Sequence, residues 1–258
     1  MQKRQPFKKK ESSQTSSRPR VGARGKPQPK SQRFVDIVYE DRDLLVLNKP
    51  AGVLAEPKSD SPSPDILKMA RQYLQRKFKE AGGSYLQLIH RLDRDTSGLI
   101  VLAKSKAGEK LSDLFRRGEI NRQYLAIVEG AVEKSEGKID LPLEKGEFSH
   151  GRKVKVSETG KPSLTFYRVI ERYEKATVLG IETATGRTHQ IRVHLAEIGH
   201  PLIGDKIYGA TKIKFPRQAL HATVLSFRHP GTGKKVRFES KPGGDLETLI
   251  DRLRSFEL

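Results

Sequence analysis

From about Phe34 onward apolar residues fall into short runs separated by polar turns, whereas before it Val21 and Phe7 are almost the only large ones. The runs Phe34-Val35-Asp36-Ile37-Val38-Tyr39 and Leu44-Leu45-Val46-Leu47 flank Glu40-Asp41-Arg42-Asp43, which predicts a hairpin, and Lys49-Pro50-Ala51-Gly52 then breaks the strand. A helical period follows from Pro64 to about Glu80, with Ser63 as cap, Pro64 in the first turn, Leu67, Ala70, Leu74 and Phe78 on one stripe, and Gly82-Gly83 as the stop. Leu86 to Ile89 and Leu99 to Ala103 read as buried strands, and Ser105 to Arg117 as a helix ended by Gly118. Strands are predicted at Gln123 to Val128, Lys153 to Val156, Leu164 to Arg172, Thr177 to Thr183, Leu220 to Phe227 and Lys235 to Glu239. Helices are predicted from about Thr188 to Ile198, closing at Gly199, and from Leu246 to Phe256, with Leu246, Leu249, Ile250 and Leu253 on one face. Strands that follow one another, with helices set beside them rather than alternating, argue for an α+β fold with a mixed, mostly antiparallel sheet.

Composition divides the 258 residues unequally. Residues 1–33 carry eleven Lys/Arg against one acid, Glu11, among Ser, Gln, Pro and Gly, too little apolar surface to offset ordering entropy. We expect a disordered basic arm there and a folded domain over 34–258. The formal charge of +19 is shared by both parts, the electrostatic footprint of a protein that binds a polyanion. Cysteine is absent, which removes disulfides, thiolate metal sites and cysteine nucleophiles and suits a reducing compartment. No apolar run nears the roughly 18 residues of a membrane span, and no apolar stretch follows the basic start to make a signal peptide. The expectation is a soluble, cytoplasmic protein with no membrane partner, with monomer as the default.

Three polar segments sit where strands end, the places where a scaffold presents chemistry. In His90-Arg91-Leu92-Asp93-Arg94-Asp95-Thr96-Ser97-Gly98, guanidinium neighbours favour an ionised Asp93, available as nucleophile or base; the plain alternative is a salt-bridged turn. Gly186 to His194 opens a helix whose free N–H groups suit an anion, with Arg192 one turn in and able to pair with a carboxylate from elsewhere. His189, His194, His200 and His221 raise the question of a metal, but the first two stand at i and i+5 rather than the three or four that ligands on a helix prefer, and no third ligand is evident, so hydrogen bonding is the expectation. In Asn121-Arg122-Gln123-Tyr124-Leu125-Ala126, composition alone makes Tyr124 a core tyrosine more readily than a base-stacking one.

Together these segments resemble the RluA-type pseudouridine synthases. The resemblance runs from about Asp43 to Glu239 through Asn48-Lys49-Pro50-Ala51-Gly52, His90 to Lys104, Arg122-Gln123-Tyr124 with Gly130, Gly186 to His194, Gly199-His200-Pro201, Gly204-Asp205 with Tyr208-Gly209, and Leu220-His221-Ala222. It implies an enzyme that isomerises chosen uridines in ribosomal or transfer RNA without cofactor or metal. Asp93 would be the essential aspartate, Arg192 its partner, and Tyr124 would lie against the target base and help remove the proton from carbon 5. Arg91 would enter the RNA stack as the uridine leaves it, while Lys49, Arg94 and Arg187 would position phosphates. Whether Asp93 attacks the anomeric carbon or takes a proton from the adjacent one stays open. Ala55-Glu56-Pro57 departs from the valine-histidine-proline of many relatives, which leaves the rim of the pocket in question. The rival reading is a catalytically silent RNA-binding or ribosome-assembly protein on the same fold.

Overall fold

The first hairpin expected from the sequence is present. In the computed structural model, which describes residues 35–57, 64–79, 85–146, 153–209 and 212–255, β1 (Asp36–Glu40) and β2 (Leu44–Lys49) pair antiparallel. Asp41 closes their turn by accepting hydrogen bonds from the backbone N–H groups of Asp43 and Leu44, both at 2.8 Å, the local role for which Asp is favoured in turns. The basic arm, Phe34, Ser63, Gly82-Gly83 and Phe256 lie outside the described residues.

Helix α1 (Ile66–Phe78) is capped by Asp65, whose carboxylate accepts from the Lys68 N–H at 2.7 Å, and it ends where Lys79 turns left-handed. Its buried row is Ile66, Ala70 and Leu74; Phe78, expected on the stripe, is instead exposed. The row runs off the edge of the hydrophobic layer one turn early, and the ammonium groups of Lys77 and Lys104 lie 5.4 and 5.5 Å from the Phe78 ring centre. The next strands are β3 (Gln87–Leu88), shorter than the run of apolar residues suggests, and β4 (Ser97–Ala103), buried along its whole length. The single helix expected after β4 divides into α2 (Lys106–Glu109), capped by Ser105, and α3 (Leu111–Arg117), ended by a left-handed Gly118. Gly108 explains the division: a Cβ on it would meet the Asp43 carbonyl oxygen at 2.4 Å, so α2 is pressed against the first hairpin's turn and α3 leaves in a new direction.

The second half continues with β5 (Asn121–Glu129), β6 (Glu136–Asp140), β7 (Leu143–Lys145), β8 (Val154–Val156), β9 (Leu164–Arg172), β10 (Ala176–Thr183), α4 (Gln190–Glu197), β11 (Leu220–Arg228), β12 (Lys235–Glu239) and α5 (Gly244–Arg254). One sheet runs β1-β2-β4-β11-β5-β10-β9-β6, with β3 on β4 and β12 on β11, while β7 and β8 pair separately. Every pairing in the large sheet is antiparallel except β4 with β11, so the mixed, mostly antiparallel α+β expectation holds. Among the described residues, no helix is long and apolar enough to cross a membrane.

The parallel contact joins the halves of the sheet and fixes the polar loop that precedes β4. Leu99, Ile100, Val101 and Leu102 are wholly buried, each contributing about 1.5–3 kcal/mol of gross burial. At the strand's start Gly98 has φ +110°, and a Cβ there would lie 2.3 Å from the Ala222 carbonyl oxygen of β11. Only glycine tolerates both the backbone angle and the approach. Gly98→Ala is therefore expected to destabilise the protein by roughly 2 kcal/mol or more, measured by denaturant unfolding.

Candidate active site

The loop from His90 to Ser97 is held from several sides. Lys49, the last residue of β2, is completely buried, and its ammonium donates to the carbonyl oxygens of Pro50, Val53 and Arg94 at 3.0, 2.8 and 2.9 Å. The phosphate contact expected of Lys49 is corrected by this burial: the side chain braces the loop from beneath and does not reach a surface. Burial drives its pKa down to about 7 against the opposing charges of Asp95 and Asp93. The Gly52 N–H also donates to Arg94, Arg217 donates to the Asp95 carbonyl oxygen, Gln218 donates to the Thr96 hydroxyl, and Ser97 meets His221 at 2.8 Å. His90 accepts from the Val101 N–H and stacks on Phe115, and burial lowers its pKa to about 3.

Asp93 thus stands at a fixed point, partly exposed, at the edge of a cleft of about 630 Å³. Its Oδ2 accepts from Nη1 of Arg192 at 2.9 Å, the pairing for which Arg192 was singled out. Arg192 comes from the first turn of α4, where Gln190 ties the approach by accepting from the Arg187 N–H and the Thr185 hydroxyl; the helix begins two residues later than expected, after a left-handed His189. The guanidinium is buried, and its other edge grips Asp205, Nε to Oδ2 at 2.7 Å and Nη2 to Oδ1 at 2.9 Å. Asp205 in turn accepts from the N–H groups of Ile207 and Tyr208. Burial disfavours the charge on Asp205, but Arg192 and these N–H groups overcome it and lower its pKa.

Tyr124, on β5, lines the same cleft, half-buried, its phenol pKa raised by burial. The structure therefore brings Asp93, Arg192 and Tyr124 together around one cavity. Arg91 is exposed where it lines the cleft and pairs with Glu56 at 3.3 Å, so the departure at Glu56 falls on the ion-pair partner of Arg91. Arg94 is also exposed, paired with Asp95 at 3.0 Å, and Arg187 lies on the cleft wall, donating to the Pro162 carbonyl oxygen. Among the described residues six arginines line this cleft, four of them exposed (Arg91, Arg116, Arg117 and Arg187), against two acids, Glu56 and Asp93. The four exposed arginines present a concentration of one sign that attracts a polyanion.

Sequence reasoning passed over Asp205, Tyr208 and the α3 arginines Arg116 and Arg117. The signal for the first two lay in Gly204-Asp205 and Tyr208-Gly209: a carboxylate beside a glycine that must turn left-handed, φ +75°. The histidines raised as metal candidates are spread apart, each with its own partner: His189 with the Tyr208 hydroxyl at 2.7 Å, His194 with Thr165 and the Leu141 carbonyl oxygen, His200 with the Glu129 carbonyl oxygen, and His221 with Ser97.

Asp205→Asn removes one half of a buried ion pair and is expected to cost about 3–5 kcal/mol at neutral pH. The sign follows from linkage. A carboxyl whose folded pKa is lowered stabilises the fold above its unfolded pKa and loses that contribution as pH falls through the folded value. The gap between wild type and Asp205→Asn in chemical unfolding should thus be full at pH 7 and close toward strongly acidic pH.

Comparison with known proteins gives this geometry a family. Residues 43–197 match the model of a family described as RNA pseudouridylate synthase. An uncharacterized RNA pseudouridine synthase, YlyB, of Bacillus subtilis is 38% identical over 222 residues, covering 85% of this chain and 73% of the relative. The ribosomal large subunit pseudouridine synthase D of Zymomonas mobilis is 38% identical over 231 residues, with the same coverages. Among solved structures, human RNA pseudouridylate synthase domain containing 1 superposes with a TM-score of 0.68 at 26% identity, covering 88% of this chain and 98% of that one. The loop of Asp93, the strand of Tyr124 and the helix of Arg192 all lie within the matched span, and the chain belongs to the RNA pseudouridylate synthase family, enzymes that isomerise uridine to pseudouridine in RNA.

Proposed function

We propose that this chain converts one or a few uridines of large-subunit ribosomal RNA to pseudouridine, with Asp93 as the catalytic carboxylate. The observation that carries the assignment is the Asp93–Arg192 pair at the edge of a basic cleft that Tyr124 also lines. The choice of RNA rests on relatives whose names assign them to the large ribosomal subunit.

The reaction breaks the bond between C1′ and N1, with the electron pair leaving on uracil, and forms a bond between C1′ and carbon 5. Carbon 5 loses a proton and N1 gains one, so no oxidant and no net input of protons is required. Asp93 meets the positive charge at C1′ by attack on that carbon, or takes a proton from the neighbouring C2′; either course needs the carboxylate fixed beside the sugar, and the hydrogen bond from Arg192 Nη1 holds it in place. Tyr124 lies against the base and assists loss of the proton from carbon 5. A stacked uridine is out of reach, so the nucleotide turns out of the helix, and Arg91, long and exposed at the rim, fills the space it leaves. Arg94 and Arg187 bind phosphates and supply affinity more than selectivity. All these groups come from a single chain, so the chemistry needs no second subunit.

The test is a pseudouridine map of total RNA from the source organism with the gene deleted, then complemented. Sites that vanish should lie in large-subunit ribosomal RNA and return with wild type but not with Asp93→Ala, whose rate should fall by more than roughly 10³-fold. Sites found only in transfer RNA would overturn the substrate assignment. Restoration by Asp93→Ala would overturn the catalytic one and favour a protein that only binds RNA.

A further inference from the structure

Three arginines of the described chain are more than nine-tenths buried: Arg122, Arg192 and Arg217. Arg192 grips Asp205 with two nitrogens, and Arg217 grips Asp245 in the same way at 2.7 and 3.0 Å. Arg122 differs. Among the described residues it has no carboxylate partner, its one hydrogen bond runs from Nη2 to the Thr183 carbonyl oxygen at 3.2 Å, and its Nε is buried without an acceptor. Gly186 leaves room for it, since a Cβ there would come within 2.6 Å of Nη1, and the Phe115 ring lies 5.8 Å away. His90 stacks on that same ring, and burial together with the nearby charge of Arg122 lowers its pKa.

Isolated buried charge is costly, and a fold does not keep it for stability when an apolar side chain of similar length would fit. The position of this one suggests its use. Arg122 and Tyr124 are two residues apart on β5, so they point from the same face, and both line the cleft. We propose that Arg122 is an electrostatic positioning residue for the isomerisation: its uncompensated guanidinium under the cleft floor stabilises the negative charge that collects on uracil when the C1′–N1 bond breaks. The proposal rests on the cleft's being the active site. A charge fixed in advance in a site of low dielectric acts most strongly on the state in which the opposite charge develops, and so lowers the barrier more than it tightens binding. The Tyr124 phenol feels the same field, with Arg122 favouring its ionised form and Asp93 across the cleft opposing it.

The test compares Arg122→Met, which keeps the apolar stem and removes the charge, with Arg122→Lys, which keeps the charge. Total RNA from the deletion strain is the substrate, under single-turnover conditions with enzyme in excess. Arg122→Met should slow the reaction by roughly 10- to 100-fold, with RNA affinity and its salt dependence unchanged, while Arg122→Lys recovers most of the rate. Thermal unfolding of Arg122→Met should occur at or above the wild-type midpoint, since a buried charge without a partner has been removed. The Tyr124 phenol, read by tyrosinate absorbance against the Tyr124→Phe counterpart of each protein, should titrate at higher pH in Arg122→Met. A lower unfolding midpoint in Arg122→Met would make the residue a structural prop, and a weaker, less salt-dependent RNA affinity would make it a phosphate contact; either overturns the proposal, as does an unmoved tyrosine titration. The unfolding and titration measurements need no RNA, so they can overturn the proposal even if the wild-type protein proves inactive on that RNA, a result that would count against the proposed function instead.

Discussion

A buried guanidinium is costly unless its charge is met, and Arg192 has its charge met by two carboxylates rather than one. Its Nε and Nη2 are committed to Asp205, which is itself buried and held by two backbone N–H groups, so the arginine has no freedom to swing. The remaining nitrogen, Nη1, is then offered at one point in space, and Asp93 occupies it. Asp205 anchors the arginine and Arg192 aims it. Asp93 ends this chain of contacts as its most exposed member, at the cleft.

The surrounding fold makes sense as support for that alignment. Asp93 and Arg192 are 99 residues apart in sequence and arrive by different routes, one on the loop before β4 and the other on α4. The loop is tied to β2 through Lys49, to the segment before β11 through Arg217 and Gln218, and to β11 itself through His221. The close approach at Gly98 sets the single parallel contact in the sheet directly behind it. Polar groups that would otherwise be unsatisfied in the core are thereby used to hold one short segment still. Rigidity of this kind keeps a catalytic group within the narrow range of geometry that a reaction tolerates.

Much of this was legible in the sequence, and the misses have physical causes. The strands of the core were clear because β2, β4 and β10 carry near-continuous apolar runs. Strand β6 was not, since Glu136-Gly137-Lys138-Ile139-Asp140 buries only Ile139 and lies at the sheet edge, where little apolar patterning is required. The break between α2 and α3 depends on Gly108 meeting the distant Asp43, and local pattern cannot carry a tertiary contact. The site divides in the same way. Asp93, Arg192 and Tyr124 could be named from motifs, and the structure gathers them around one cleft. Lys49 was misjudged because a basic residue in a basic protein reads as a surface group, and only its three carbonyl partners reveal it as an internal brace. Asp205 was passed over because its work is done through another side chain.

The central claim is that this buried chain of charges holds the Asp93 carboxylate at the anomeric carbon of a uridine drawn out of its RNA stack. A crystal structure of the protein bound to an unmodified large-subunit RNA fragment tests it most directly. The target nucleotide should lie in the cleft, with C1′ within about 3–3.5 Å of an Asp93 oxygen, the base against Tyr124, and Arg192 still joined to both aspartates. A uridine that stays stacked in the RNA, or an Asp93 turned away from the sugar with Arg192 released from it, would contradict the account.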